Sequence, residues 1–466
     1  MDVRPRAGRE HYAETVAALT YGLGTLGRDM VAGMVSMFLM FYLTDVLGIG
    51  GQTLAVVTGV MVFMRIFDAL NDPFMGWIVD NTHTRWGKFK PWMAIGTACW
   101  AVTSILMFTD FGLDGWRFVV MFTLVYVAFE IAYTINDISY WGMLPSLTRD
   151  QKQRERIGMV ARVCANIGLF AVVVGIVPIT KTMEPAVGGP SQAWFWFAVI
   201  LAGIMVVFQL LPICFSKEQV HTHNETTTLR GLWQAIASND QLMWTTLGMV
   251  LFMTGYTTTT SLALYYFKYV FGDENTYSVF AALLGVTQII ALLLFPVVAR
   301  YVRRFTIHLG ATILMAVGYV VFLATGTSLL GVGIAGVLLF AGQAPIQLLM
   351  VMFIADSAEY GQWKFKRRNE AVTFALQPFI YKFSNALATA VVGITVMLSG
   401  IADAGALGAS GIDESGKTVV RMAMFGLPAV LVVVSWVVLR AKYRLDEATY
   451  QGIVDELRER EQSADA

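Results

Sequence analysis

The chain has 466 residues, 56% hydrophobic and only 14% charged, with 33 Lys plus Arg balanced by 33 Asp plus Glu. Soluble globular domains carry roughly 25% charged residues, so this composition excludes an ordinary water-soluble fold and gives no reason to expect a nucleic-acid partner. Outer-membrane barrels alternate in strands of about ten residues, and stretches such as Gly331 to Leu349 do not alternate.

In chain order, a polar N-terminus up to about Glu14 shows no cleavable signal peptide and leads into apolar blocks at 15–46, 53–79, 91–110, 117–143, 157–180 and 193–214. Phe215 to Asp240 is the longest polar connection between blocks, and further blocks follow at 241–271, 277–300, 307–327, 331–356, 371–400 and 419–440. Each is long enough to cross roughly 30 Å of hydrocarbon as a helix. The expectation is an all-α membrane protein of 12 transmembrane helices: an N-terminal six-helix half (1–214), a cytoplasmic linker (215–240), a C-terminal six-helix half (241–440) and a cytoplasmic tail (441–466). Two such halves resemble the major facilitator superfamily, with substrate bound between them near the midplane. Basic clusters at Arg4, Arg6 and Arg9, at Arg85, Lys88 and Lys90, at Arg149 to Arg156, at Lys364 to Arg368 and at Lys442 and Arg444 fall on alternate connections. The positive-inside rule therefore puts both termini in the cytoplasm. Cys99, Cys164 and Cys214 sit inside apolar blocks and suggest neither a disulfide nor a metal site. His221 and His223 in the linker supply only two of the four ligands a structural metal needs, so no metal or other cofactor is assigned beyond a transported cation.

Charges within the blocks carry the functional signal, because each costs about 2.5–3.5 kcal/mol at a helix centre unless it finds a partner or water. The first span carries Arg28 and Asp29, the second Arg65, Asp68 and Asp72, the fourth Glu130 and Asp137, the fifth Arg162 and the eleventh Lys382. At 3.6 residues per turn, Asp68, Asn71 and Asp72 share one helical face, with Arg65 one turn before Asp68. Two carboxylates that close cannot both stay ionised in a low dielectric unless a cation sits between them or one takes a proton, which describes a coupling site. Thr134, one turn before Asp137, adds a hydroxyl to this set of hard oxygen donors. The structural alternative is that Arg65 pairs with Asp68, and Asp137 with Arg162, as salt bridges holding the bundle together. Trp141 follows Asp137 by four residues, which places an aromatic ring beside a carboxylate. A sugar needs that combination, since its hydroxyls take charge-assisted hydrogen bonds and its C–H face packs on a ring.

The stretch Asp68-Ala-Leu-Asn-Asp72-Pro-Phe-Met-Gly76-Trp-Ile-Val-Asp80, continuing through Arg85-Trp-Gly87-Lys88-Phe-Lys90-Pro91-Trp92, resembles the glycoside-pentoside-hexuronide:cation symporters, and among them the melibiose permeases. Supporting pieces include Gly27-Arg28-Asp29, Tyr133-Thr134 with Asp137 and Trp141, and Ala355-Asp356 with Glu359-Tyr360-Gly361. The resemblance implies symport of a sugar or glycoside, of galactoside type, with Na⁺ or H⁺, by alternating access in a bacterial inner membrane. It implies a cation site of Asp68, Asn71, Asp72 and Thr134. It implies a sugar site of Asp29, Asp137, Trp141 and Arg162, to which Arg28 (in place of the usual Lys), Tyr133, and Gln377 and Lys382 of the eleventh span are added. Pro378 stands where a small polar residue is expected and Gln347 where a pocket Trp is expected, so sugar identity is where departure is anticipated. Asp80, Arg85, Gly87 and Lys88 are similar to the superfamily's cytoplasmic gating motif. Two other functions place different demands on the chain. A magnesium-dependent membrane prenyltransferase needs a second acidic cluster, and the corresponding loop Arg300 to His308 has no acid. A non-transporting sugar sensor does not need a cation cage as well as a hydroxyl-binding pocket.

Overall fold

Without water in the hydrocarbon, every backbone N–H and C=O must be satisfied inside its own segment, which leaves helices as the solution for long apolar blocks. The computed structural model describes residues 4–82, 84–147, 151–216, 238–326, 328–365, 370–406, 411–445, 449–453 and 455–457, and within some helices the backbone alone, as at Asp80. Every predicted span coincides with a helix. These are α1 (Arg4–Phe41), α2 (Gly51–Asp80), α3 (Lys90–Met107), α4 (Gly115–Leu147), α5 (Gln151–Val187) and α6 (Pro190–Phe215), then α7 (Asp240–Tyr265), α8 (Thr276–Tyr301), α9 (Arg304–Thr325), α10 (Leu329–Phe365) and α11 (Glu370–Leu398). A short α12 (Ile401–Ala406), absent from the sequence reading, precedes α13 (Glu414–Arg421) and α14 (Leu427–Lys442). The last predicted span is thus α13 and α14 joined through a π-helical turn, Met422–Gly426. Similar π turns extend α1 at Tyr42–Val46 and α7 at Tyr266–Phe271.

Ten helical stretches among the described residues are long and apolar enough to cross a membrane by themselves. α3 and α7 fall outside that set: α3 is only 18 residues long and opens with Lys90 and Pro91, and seven threonines and a serine lower the hydropathy of α7. Several hydroxyls are satisfied locally: in α7, Thr245, Thr246 and Thr258 donate to the carbonyls of Gln241, Leu242 and Thr254 at 2.9, 2.7 and 2.7 Å. In α3, Thr97 and Ser104 donate to Met93 and Trp100 at 2.7 and 2.6 Å. A hydroxyl bonded this way crosses hydrocarbon without an unmade hydrogen bond, whereas the Thr254 hydroxyl of α7 is buried without a partner. Several helices also outrun their apolar blocks, α1, α5 and α10 by the most, because hydropathy marks the part in lipid whereas the helix continues through polar turns.

Two compact units emerge from the contacts. One comprises residues 1–224, 275–281 and 401–410, the other 225–274, 282–400 and 411–466. In the first, α1 lies along α5 and α6, and α4 is flanked by α2 and α3. Glycines let backbones touch here: a Cβ on Gly168 of α5 would overlap the Leu26 carbonyl, and one on Gly27 would overlap the Met205 backbone of α6. Close small-residue packing is how helices associate where the hydrophobic effect cannot drive them together. In the second unit, α9 lies against α10, and α7 against α11 and α14. Most of the expected linker, including His221 and His223, lies outside the described residues. α7 opens beyond it with Asn239 as N-cap, whose side chain accepts from the Gln241 and Leu242 amides at 3.1 Å each.

Candidate functional site

The first unit builds its site on α4. Tyr21 of α1 and Tyr140 of α4 stack with ring centroids 4.4 Å apart. Tyr21 donates to the Tyr140 carbonyl at 2.6 Å, and Tyr140 donates back to the Tyr21 carbonyl. This reciprocal pair fixes the register of the two helices. A second clamp runs through Asn136, which donates to Thr97 of α3 at 2.9 Å and to Gln209 of α6 at 3.4 Å, while Gln209 donates to the Gly24 carbonyl of α1 at 2.7 Å. Sequence reasoning missed these four anchors, although a buried Asn or Gln inside an apolar block is itself a signal.

With α1 and α4 so held, Arg28 donates to Asp137 at 2.5 Å, and their side chains are 4% and 20% exposed. The Arg28 guanidinium also lies 5.0 Å from the Tyr140 ring centroid and 5.8 Å from that of Trp141. The alternative pairing of Asp137 with Arg162 is not what forms: Arg162 instead places its guanidinium 4.9 Å from the Trp141 ring. Spacing along α4 cannot tell which neighbouring helix's arginine meets Asp137. Asp29 lies within electrostatic reach of Arg28, Asp137 and Arg162. Arg28 Nε and Nη1 and Asp29 Oδ2 are buried without a hydrogen-bond partner. Tyr133 sets its ring edge-on to Trp100, centroids 5.2 Å apart. The structure therefore brings Arg28, Asp29, Asp137, Trp141 and Arg162 together, with Tyr133 one turn before Asp137.

The other cluster lies where α2 packs on α4. Asp68 is 5% exposed and accepts a hydrogen bond from the fully buried Thr134. Asn71 and Asp72 follow on α2, both half-buried. Arg65 has Tyr126, Glu130 and Tyr133 of α4 within electrostatic reach, as well as Asp68 on its own helix.

Of the gating residues, the Asp80 side chain lies outside the described residues, Arg85 is exposed, and the Lys88 amine lies 5.0 Å from the Phe89 ring. Gly87 closes a tight turn: its amide donates to the Thr84 carbonyl at 3.1 Å and it adopts φ +105°, a conformation that favours glycine. In the second unit, Gln377 and Lys382 are half-buried on α11. There Gln343 donates to Gln347 at 2.9 Å and Gln347 to the Tyr381 hydroxyl at 2.8 Å, so the residue in place of the expected Trp is the middle link of a polar chain between α10 and α11.

A helical membrane protein with buried, incompletely bonded charges beside an aromatic plane belongs to the class of polytopic carriers for polar solutes. The family model for MFS/sugar transport proteins matches residues 20–447, and the chain belongs to that family. It is a secondary active sugar symporter of the major facilitator superfamily. It is 31% identical over 95% of its length to the lactose permease of Lactobacillus delbrueckii subsp. bulgaricus, and 30% identical over 96% to that of Lactobacillus helveticus, covering 72% of each relative. The raffinose carrier protein of Pediococcus pentosaceus is 28% identical over 94% of the chain and 71% of the relative. Among solved structures, one from a study of proton-dependent oligopeptide transporters superposes with a TM-score of 0.65 at 13% identity, covering 94% of this chain and 100% of that one. That likeness speaks for the fold alone.

Proposed function

We propose that this symporter takes up a galactoside or related glycoside with Na⁺ or H⁺ across a bacterial inner membrane, both termini being cytoplasmic. Residues 1–214 and 241–440 are its six-helix halves, and 215–240 their linker. The observation that carries the reading is the set of buried atoms Arg28 Nε, Arg28 Nη1 and Asp29 Oδ2, which lack protein partners yet adjoin Asp137 and Trp141. Leaving such groups unmade costs about 1–3 kcal/mol each, so they suit a ligand that brings both donors and acceptors. A hexose does so with adjacent hydroxyls, and its apolar face fits the Trp141 ring. Lactose and raffinose, the cargoes named for the relatives, both contain a galactosyl unit.

Arg28 and Asp137 orient the hydroxyls, Asp29 accepts from them, and Arg162 holds Trp141 in place. Tyr133 borders this group, and the resemblance adds Gln377 and Lys382 of α11 as sugar-binding residues. The coupling cation sits among the oxygens of Asp68, Asn71, Asp72 and Thr134. Its charge offsets that of Asp68 and Asp72, which cannot both remain ionised uncompensated in a low dielectric. Asp80, Arg85, Gly87 and Lys88 form the cytoplasmic gate. Uptake of labelled lactose, raffinose and glucuronides into right-side-out vesicles, with Na⁺ and proton gradients imposed separately, tests the reading. Accumulation driven by one gradient supports it; equilibration that ignores both gradients overturns it.

A further inference from the structure

Arg28 and Asp137 meet across two helices whose main neighbours differ. α1 packs along α5 and α6, whereas α4 packs against α2 and α3. The distance of α1 from α4, and with it the room beside Arg28 and Asp137, therefore depends on the side chains that link the two. Gln209 of α6 is such a link, and neither the sugar site nor the cation site includes it. Its side chain is 0% exposed and so lies out of a ligand's reach. Its amide donates to the Gly24 carbonyl of α1 at 2.7 Å and accepts from Asn136 of α4 at 3.4 Å.

Both attachments end beside the ion pair. Gly24 lies one turn before Arg28, whose amide takes the same carbonyl in a regular helix; the oxygen's second lone pair serves Gln209. Asn136 immediately precedes Asp137, and α3 holds it from the other side: Asn136 donates to Thr97 at 2.9 Å, and a Cβ on Gly96 would stand 2.8 Å from the Asn136 amide nitrogen. There is as little slack around Gly24, where a Cβ would come within 2.8 Å of Pro212 and 3.0 Å of Tyr140. The contacts close into a ring that runs from Gly24 to Arg28 along α1, across to Asp137 at 2.5 Å, back to Asn136 on α4 and home through Gln209. Groups that recognise a ligand must be held to within about 0.5 Å, and a buried amide bonded at both ends does this. We propose that Gln209 is a positioning residue for sugar recognition: it sets the distance between α1 and α4 at Arg28 and Asp137, and so the spacing of the groups a sugar hydroxyl meets. This rests on the sugar site proposed above and adds to it a residue that touches no ligand.

The test is a double-mutant cycle on the purified full chain, reading lactose affinity by calorimetry with the fold checked by a thermal melt. Gln209→Met keeps the length of the side chain and removes both polar atoms, and it should lower lactose affinity at least tenfold. On an Asp137→Asn background the same substitution should change affinity less than threefold, because the pair it positions has already lost its charge. Gly24→Ala gives a second reading that leaves Gln209 in place: its methyl group presses α1 away from Pro212 and Tyr140 and should lower lactose affinity at least fivefold. Unchanged affinity in Gln209→Met overturns the proposal, as does unchanged affinity in Gly24→Ala where Gln209→Met does not fold. An equal loss with and without the Asp137 carboxylate would mean that Gln209 only stabilises the bundle, and equally overturns it. An unaltered chain that binds neither lactose nor raffinose would sink the sugar site itself, a failure recognisable before any variant is made.

Discussion

Asp137→Asn is the substitution whose effect follows most directly from geometry. Asp137 is the ion-pair partner of Arg28, and the guanidinium is almost fully buried. Removing one member of a buried pair costs about 3–5 kcal/mol where nothing else compensates the remaining charge. Here Asp137 is one-fifth exposed, Asp29 stays within reach of Arg28, and the guanidinium keeps the faces of Tyr140 and Trp141. The stability loss should therefore be about 3 kcal/mol or less, leaving the protein folded. Binding should suffer separately. Asn retains one acceptor but loses charge assistance, a change from about 1.5–3 to about 0.5–1.5 kcal/mol per hydrogen bond. The difference of about 1–2 kcal/mol predicts a fall in galactoside affinity of about five- to thirtyfold. Calorimetric titration of purified protein with lactose measures the affinity, and a thermal melt measures the fold. A lowered melting temperature with lactose affinity within twofold of the unaltered chain would show that the Arg28–Asp137 pair is purely structural, and the assignment of Asp137 to the sugar would fail.

Asp72→Cys should abolish Na⁺ stimulation and gradient-driven accumulation while lactose exchange across the membrane persists; equal loss of both would merge the two sites into one charge network. In the unaltered protein, the factor by which Na⁺ tightens lactose must equal the factor by which lactose tightens Na⁺, because linkage is reciprocal; calorimetry in both orders reads each. In a background lacking the native cysteines, Asp114→Cys and Asp273→Cys should react with an impermeant thiol reagent from outside intact cells and Trp86→Cys should not, all three positions being exposed; the opposite pattern would invert the proposed orientation. Gly168→Ala should destabilise the protein by about 1–3 kcal/mol through overpacking of α5 against the Leu26 carbonyl; a melt unchanged from the parent would contradict the close approach of α1 and α5.

How much was legible beforehand differs between fold and site. Apolar block length and the low charge content identify a helical membrane protein, since only a helix satisfies its own backbone in hydrocarbon, and each predicted span holds a helix. Spacing along a single helix likewise places Asp68, Asn71 and Asp72 on one face, because the 3.6-residue period is a local property of the backbone. Partners across helices obey no such period. Tertiary packing decides that Arg28, and not Arg162, meets Asp137, that Arg162 covers Trp141, and that Thr134 takes Asp68. Those outcomes depend on the rotation and depth of one helix against the next. The Tyr21–Tyr140 pair, the Asn136–Gln209 clamp and the glycine contacts at Gly27 and Gly168 set both quantities. Each joins residues from distant parts of the chain, so the pattern within any one helix carries no trace of its partner.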